Sequence, residues 1–174
     1  IERVLTEMDG VVEAWRAAHR GAAPPLGIQL SDATTNAIPR QLDDLLDAVT
    51  ARIPRWGMRP SLRGQTLLDA RITDERIRRF REAGFDNTFF GVDVLDDAQR
   101  RLLKRPGKLD HVRDAVRRWV DGGLAAGLGV GIPIGIPGET DEAFEAALEL
   151  CDWLASLGAP LQSITALPYV WFQS

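Results

Sequence analysis

The chain has 174 residues, enough for one domain or part of one, and at 45% apolar it can bury a substantial core. Its formal charge is −4 and its 21 Lys and Arg are dispersed among acids, which describes solvated helix surfaces rather than a nucleic-acid patch. No apolar run of about 18 residues is present, so no membrane span is expected, and no signal-peptide pattern is visible.

The first apolar pattern is helical, with Ile1, Val4, Leu5, Met8, Val11, Val12 and Trp15 at helical spacing over residues 2–20. A domain seldom opens inside an element without a cap, so further sequence upstream of Ile1 is expected. Pro24 and Pro25 lead into a strand over residues 26–30 that ends in Ser31 and Asp32. Pro39 suits a helix start, and Leu42, Leu45, Leu46, Val49 and Ile53 form its apolar face. A weaker strand is expected near residues 56–63, with Pro60 blurring its span. Thr73, followed by Asp74 and Glu75, opens a helix that carries Ile77, Phe80 and Ala83 and stops at Gly84.

A strand over residues 87–92 follows and ends in Asp93. A short helix over about 96–104 precedes Pro106 and Gly107. A longer one over 109–126 turns Leu109, Val112, Val116, Trp119 and Val120 inward. Next comes a strand with two unlike faces. Leu128, Val130, Ile132, Ile134 and Ile136 alternate with Gly129, Gly131, Pro133 and Gly135. The second face has almost no side chains, so a backbone or a flat ligand can approach it closely. A Gly-Ile-Pro-Gly-Glu-Thr turn leads to a helix over 141–157, and a last strand covers 161–167. Cys151, the only cysteine, aligns on that helix with Phe144, Ala147, Leu148 and Leu154 as a core residue. A lone cysteine excludes an internal disulfide and a Cys-based metal site within these residues. His19 and His111 fall in helical patterns that face solvent or the core edge, not a metal.

Alternating helix and strand imply an α/β fold with a parallel sheet and about five βα units. Two closures fit: an open doubly wound sheet, or a segment of a (β/α) barrel. Both collect strand C-terminal ends on one rim. The residues expected there are Asp32, Arg63, Asp93 and Glu139, with Thr165 and Pro168 on the final strand. Their bland reading is helix capping and mutual pairing. Asp favours such turns, and a carboxylate at the position of Glu139 is favoured by a helix dipole.

The assembled segments resemble the radical S-adenosylmethionine (SAM) enzymes, in the branch with a GxPGE[TQ] turn that includes many cobalamin-dependent members. Leu30 through Asn36 resembles an acidic strand-2 ending, and Leu62-Arg63-Gly64 a strand-3 arginine segment. Phe80-Arg81-Glu82-Ala83-Gly84-Phe85 is similar to the end of helix 3, and Phe90-Gly91-Val92-Asp93 to the end of strand 4. The stretch from Leu103 to Lys108 resembles the segment that follows. Gly135-Ile136-Pro137-Gly138-Glu139-Thr140 is similar to the strand-5 ending. The segments occur in order over most of the chain.

The resemblance implies a partial (β/α)6 TIM-like barrel of which residues 1–174 supply strands 2 to 6, as one domain truncated on its N-terminal side. Strand 1 and a Cys-x3-Cys-x2-Cys loop holding a [4Fe–4S] cluster would lie upstream. The implied activity is SAM cleavage to a 5′-deoxyadenosyl radical, or methyl transfer with cobalamin, on an organic small-molecule or peptide substrate. An electron donor such as flavodoxin or ferredoxin, and a cytoplasmic location, go with it. The implied cofactor-binding residues are Asp32 near the methionyl end of SAM and Asp93 near its ribose or methionyl group. Arg63 would meet the SAM carboxylate or the substrate. Gly135, Ile136, Pro137, Gly138 and Glu139 would lie beside the adenine. No catalytic residue and no metal ligand is implied within the chain.

Departures from the family pattern are clear. Asp93-Val94 stands where Glu-Ser is usual, the last strand continues as Tyr169-Val170 rather than Gly-Thr, and the cluster cysteines are absent. Two rivals remain open. One is an ordinary βα-barrel enzyme, although no expected strand ends in the Lys that Schiff-base chemistry needs. The other is a cluster-less barrel that binds an adenine-containing ligand or a protein.

Overall fold

In the computed structural model, residues 1–19, 24–31, 38–67, 71–91, 109–136, 139–158, 161 and 163–168 are described. They form five helices and five strands: α1 (Glu2–Ala18), β1 (Gly27–Gln29), α2 (Pro39–Trp56), β2 (Ser61–Leu67), α3 (Asp74–Ala83), β3 (Phe85–Gly91), α4 (Leu109–Asp121), β4 (Leu128–Ile134), α5 (Asp141–Ser156) and β5 (Ser163–Pro168). The expected helix over 96–104 lies outside the described residues.

All four strand pairings are parallel, and the sheet order is β1-β2-β3-β4-β5, the order of the chain. That order decides between the two closures. A doubly wound sheet reverses its strand order at a switch point and carries helices on both faces. Here the order never reverses. Leu62, Phe85, Phe90, Leu128, Val130 and Ile132 share one buried cluster with Leu46, Phe80, Trp119 and Leu150 from successive helices. The helices thus cover one face, as on the outside of a partial (β/α) barrel.

Local chemistry explains the elements. Thr73 caps α3 by accepting from the Arg76 N–H at 3.2 Å, and Thr140 caps α5 by accepting from the Ala143 N–H at 3.3 Å. Under β3, Phe80 stacks on Phe85 at 4.9 Å, and Trp119 meets Phe90 edge-on at 5.1 Å. The Trp119 indole N–H donates to the Leu124 carbonyl at 2.9 Å, which fixes the turn after α4. Two buried hydroxyls are satisfied on the same side: Thr88 Oγ1 donates to the Gly64 carbonyl and lies 3.0 Å from Thr66 Oγ1.

Several sequence expectations are corrected. Trp56 closes α2 instead of opening a strand: it is buried, its indole donates to Asp9 of α1 at 2.7 Å, and Gly57 turns left-handed (φ 66°) behind it. Pro54 sits in the last turn of α2, and β2 begins only at Ser61, after Pro60. Helix α4 ends at Asp121 rather than at 126, because Gly123 adopts φ 75° and a 3-10 turn, Ala125–Gly127, leads into β4. On α5 the core contacts come from Ala147, Leu150 and Leu154, whereas Phe144 and Leu148 are 45% and 52% exposed. Cys151 packs at the margin of the core, half-buried.

Candidate functional site

The strands expose a second face, and the register shows what lies on it. In β2, buried Leu62, Gly64 and Thr66 alternate with exposed Arg63 and Gln65. Gln29 aligns with Arg63 and Arg63 with Asn87, which makes one row across three strands. Above it, Gln65 aligns with Phe89, Phe89 with Gly129, and Gly129 with Ser163. Higher still, Leu67 aligns with Gly91, Gly91 with Gly131, and Gly131 with Thr165. Toward the C-terminal ends the two central strands therefore carry glycine on this face, Gly91 and Gly131, between Leu67 and Thr165, and toward the N-terminal ends the face is polar.

The glycines are needed for space. A Cβ at Gly129 would come within 3.0 Å of the Phe89 ring and 3.1 Å of Ser163 Oγ. A Cβ at Gly127 would sit 1.6 Å from the Asp86 carbonyl oxygen, so the entry to β4 runs directly against β3. Beyond β4, Gly135 takes φ 76°, where a Cβ would meet no described residue within 4 Å, and its N–H donates to Glu139 Oε2 at 2.7 Å. The Glu139 N–H donates to the Ile136 carbonyl at 2.8 Å, and Ile136 is buried. Glu139 thus ties the turn after β4 back to the strand end. It stands before the Thr140 cap of α5, in the turn.

The expected convergence on one rim is met in part. Gly135, Ile136 and Glu139 stand at the C-terminal end of β4. Asp32, Asp93, Pro137 and Gly138 lie outside the described residues. Arg63 is not at the rim: β2 runs on for four residues to Leu67, which leaves Arg63 in the N-terminal half of the strand. Its misplacement follows from the strand that was drawn too early, near Trp56. The open-face residues Gln65, Asn87, Phe89 and Ser163 were not singled out from the sequence. The alternation in β2 hinted at a polar face, but which strands lie side by side, and in what register, is a tertiary property.

A second groove, of about 580 Å³, runs between α3 and α4 on the outer surface and includes Asp74, Arg78, Asp114 and Arg118. Its charges are largely spent on one another, since Arg78 pairs with Glu75 and Glu82, and Arg118 with Asp74. Glu75 is held at a pKa of about 2 by hydrogen bonds from Arg78 and Arg79. This is a solvated helix face.

A parallel sheet in chain order, with the described helices packed on one face, is that of a partial βα barrel. The Radical SAM superfamily model matches residues 28–151, and the chain belongs to that superfamily. A search of curated proteins finds no match. The residues fit the two groups of that family differently. A flat nucleoside suits the part of this face where side chains are reduced to hydrogen at Gly91 and Gly131, whereas the space over Gly129 is filled by Phe89 and Ser163. An iron–sulfur cluster does not fit: no group of three His, Cys, Asp or Glu able to hold a metal occurs among the described residues. Burial pushes the Cys151 thiol up, with Asp152 adding to it, which disfavours the thiolate a metal needs. Among the described residues no helix is long and apolar enough to cross a membrane.

Proposed function

We propose that this chain is the SAM-binding barrel portion of a radical SAM enzyme that modifies or methylates an organic small molecule or peptide. The observation that carries the reading is the superfamily match laid over a one-sided barrel whose open face carries Gly91 and Gly131 on its central strands, with the Gly135–Glu139 turn beyond them. In this reading the backbone of Gly135 and Ile136 lies along the adenine. Glu139 holds that backbone in place rather than touching the ligand, because its carboxylate is already engaged by the Gly135 N–H. Asp32, Asp93, Pro137 and Gly138 complete the nucleoside and methionyl contacts. When bound, SAM supplies the radical or the methyl group. The thiolates of a [4Fe–4S] cluster come from sequence outside these residues, since the chain has one cysteine. An electron donor of the flavodoxin or ferredoxin type, a cytoplasmic setting and, in this branch, cobalamin on a separate domain follow from the same reading.

The test is an N-terminally extended protein, reconstituted anaerobically with iron and sulfide. About four irons per chain, bound through an upstream Cys-x3-Cys-x2-Cys, together with SAM cleavage, are the expected result. SAM binding with no iron would instead support the rival reading, a cluster-less barrel that uses the same glycine face for an adenine ligand.

A further inference from the structure

We infer that the row Gln29, Arg63 and Asn87 on the open sheet face binds a carboxylate group of the substrate, at a level well below the SAM-binding rim. The inference rests on the proposed function for its identification of the bound molecule as substrate. Three observations carry it. First, Arg63 is exposed on a strand flanked by strands on both sides, and no carboxylate pairs with it among the described residues. Arginines elsewhere in the fold are used differently: Arg76, Arg78, Arg79 and Arg118 all pair with acids.

Second, the neighbours of Arg63 in the row are both amides. Their N–H groups add donors beside the guanidinium fork without adding charge. One planar cation flanked by neutral donors matches a planar monoanion held at two points. A phosphate is served better by helix N-termini, and in a parallel βα fold these lie at the opposite rim. In the three aligned rows of this face Arg63 is the only charged residue; the Asp86 carboxylate lies nearer the N-terminal end, bonded to Ser61 Oγ at 2.6 Å and paired with Arg59.

Third, the register separates Arg63 from the cofactor end. Arg63 lies four positions before Leu67, which is level with Gly131, and Gly135 follows four positions later. At about 3.3 Å per residue the offset to Ile134, the last residue of β4, is already roughly 23 Å along the strands, far beyond the reach of one side chain. A guanidinium at that depth meets what enters the barrel, not what lies against the Gly135 turn.

The experiment uses the chain labelled with 15N at arginine Nε. The Arg63 Nε–Hε signal is identified by its loss in Arg63→Ala. Succinate is the carboxylate probe, succinamide its neutral counterpart, and SAM is titrated separately by calorimetry. Succinate is expected to shift the Arg63 signal saturably while succinamide does not. Arg63→Ala is expected to weaken succinate binding by roughly 10-fold or more, the usual scale for a charged hydrogen-bond donor. Arg63→Lys, which keeps the charge but loses the fork, is expected to fall between. SAM affinity should be unchanged in both variants.

No saturable shift with succinate in a chain that binds SAM overturns the carboxylate site and leaves the proposed function standing. Loss of SAM binding in Arg63→Ala with thermal stability intact overturns it by placing Arg63 on the cofactor. Failure of the unsubstituted chain to bind SAM, with the succinate shift present, counts against the proposed function and supports the carboxylate site itself.

Discussion

Glu139 shows how one side chain holds a functional turn. Its carboxylate accepts from the Gly135 N–H at 2.7 Å while its own N–H closes the turn onto Ile136. Removing the carboxylate leaves the N–H of a left-handed glycine to water, and the turn loosens. Glu139→Ala is expected to cost about 1 kcal/mol, the net worth of one such hydrogen bond, whereas Glu139→Gln, which keeps an acceptor oxygen, loses about half of that. Urea unfolding of the two variants checks this, and equal losses would mean that the hydrogen bond contributes nothing. The motif around Glu139 was legible in the sequence, because Gly-Glu-Thr before an apolar helical pattern is a local signal. Its role was not, because a dipole contact with α5 and a hydrogen bond back to Gly135 differ only in where the side chain turns.

Between elements, the outer layer is joined by ion pairs of unequal worth. Arg76 of α3 reaches Asp43 of α2 with two parallel bonds of 2.9 and 2.7 Å, and also donates to the Arg71 carbonyl at 2.7 Å. Its side chain is only 11% exposed, so the pair is sheltered from solvent and salt. The Arg3–Glu7 pair on α1 has side chains 92% and 65% exposed and is worth little. Arg76→Ala is expected to destabilise by about 2 kcal/mol, because Asp43 then stays half-buried without its fork. Arg3→Ala is expected to stay within about 0.5 kcal/mol of the parent. Thermal melts at low and high salt check both: loss of the Arg76 effect in high salt would show the clamp to be solvated. Thr73 and the acids after it announced α3 in the sequence. The partner of Arg76 did not, since Asp43 is 33 residues away and α2 offers Asp43, Asp44 and Asp47 alike.

At the scale of the molecule, β1 is paired on one side only among the described residues, by β2. Beside it, a groove of about 510 Å³ between α1, β1 and α2 is lined by Val4, Met8, Val11, Ile28, Leu30 and Leu45, and Val4 and Val11 of α1, with Ile1 just before it, are exposed apolar residues. An unpaired strand edge next to an apolar groove invites association. The chain is therefore expected to self-associate with rising concentration, which light scattering reads directly; a monodisperse monomer would refute it. Pairing of that edge by an added upstream strand is expected to reduce the association.

The succession of α and β elements, the caps at Thr73 and Thr140, the glycine alternation in β4 and the turn that follows it are properties of neighbouring residues. The sequence determines them because hydrogen-bond partners and side-chain periodicity act over a few positions. Residue patterning alone left a barrel segment and a doubly wound sheet open; the family resemblance implied the barrel, and the structure bears it out through its strand order and the face the helices cover. The depth of Arg63 came only with the tertiary structure. A shift of β2 toward the C-terminus takes a residue from the rim into the barrel, and that shift was set by Trp56, which a buried indole bond to Asp9 on another helix holds in α2.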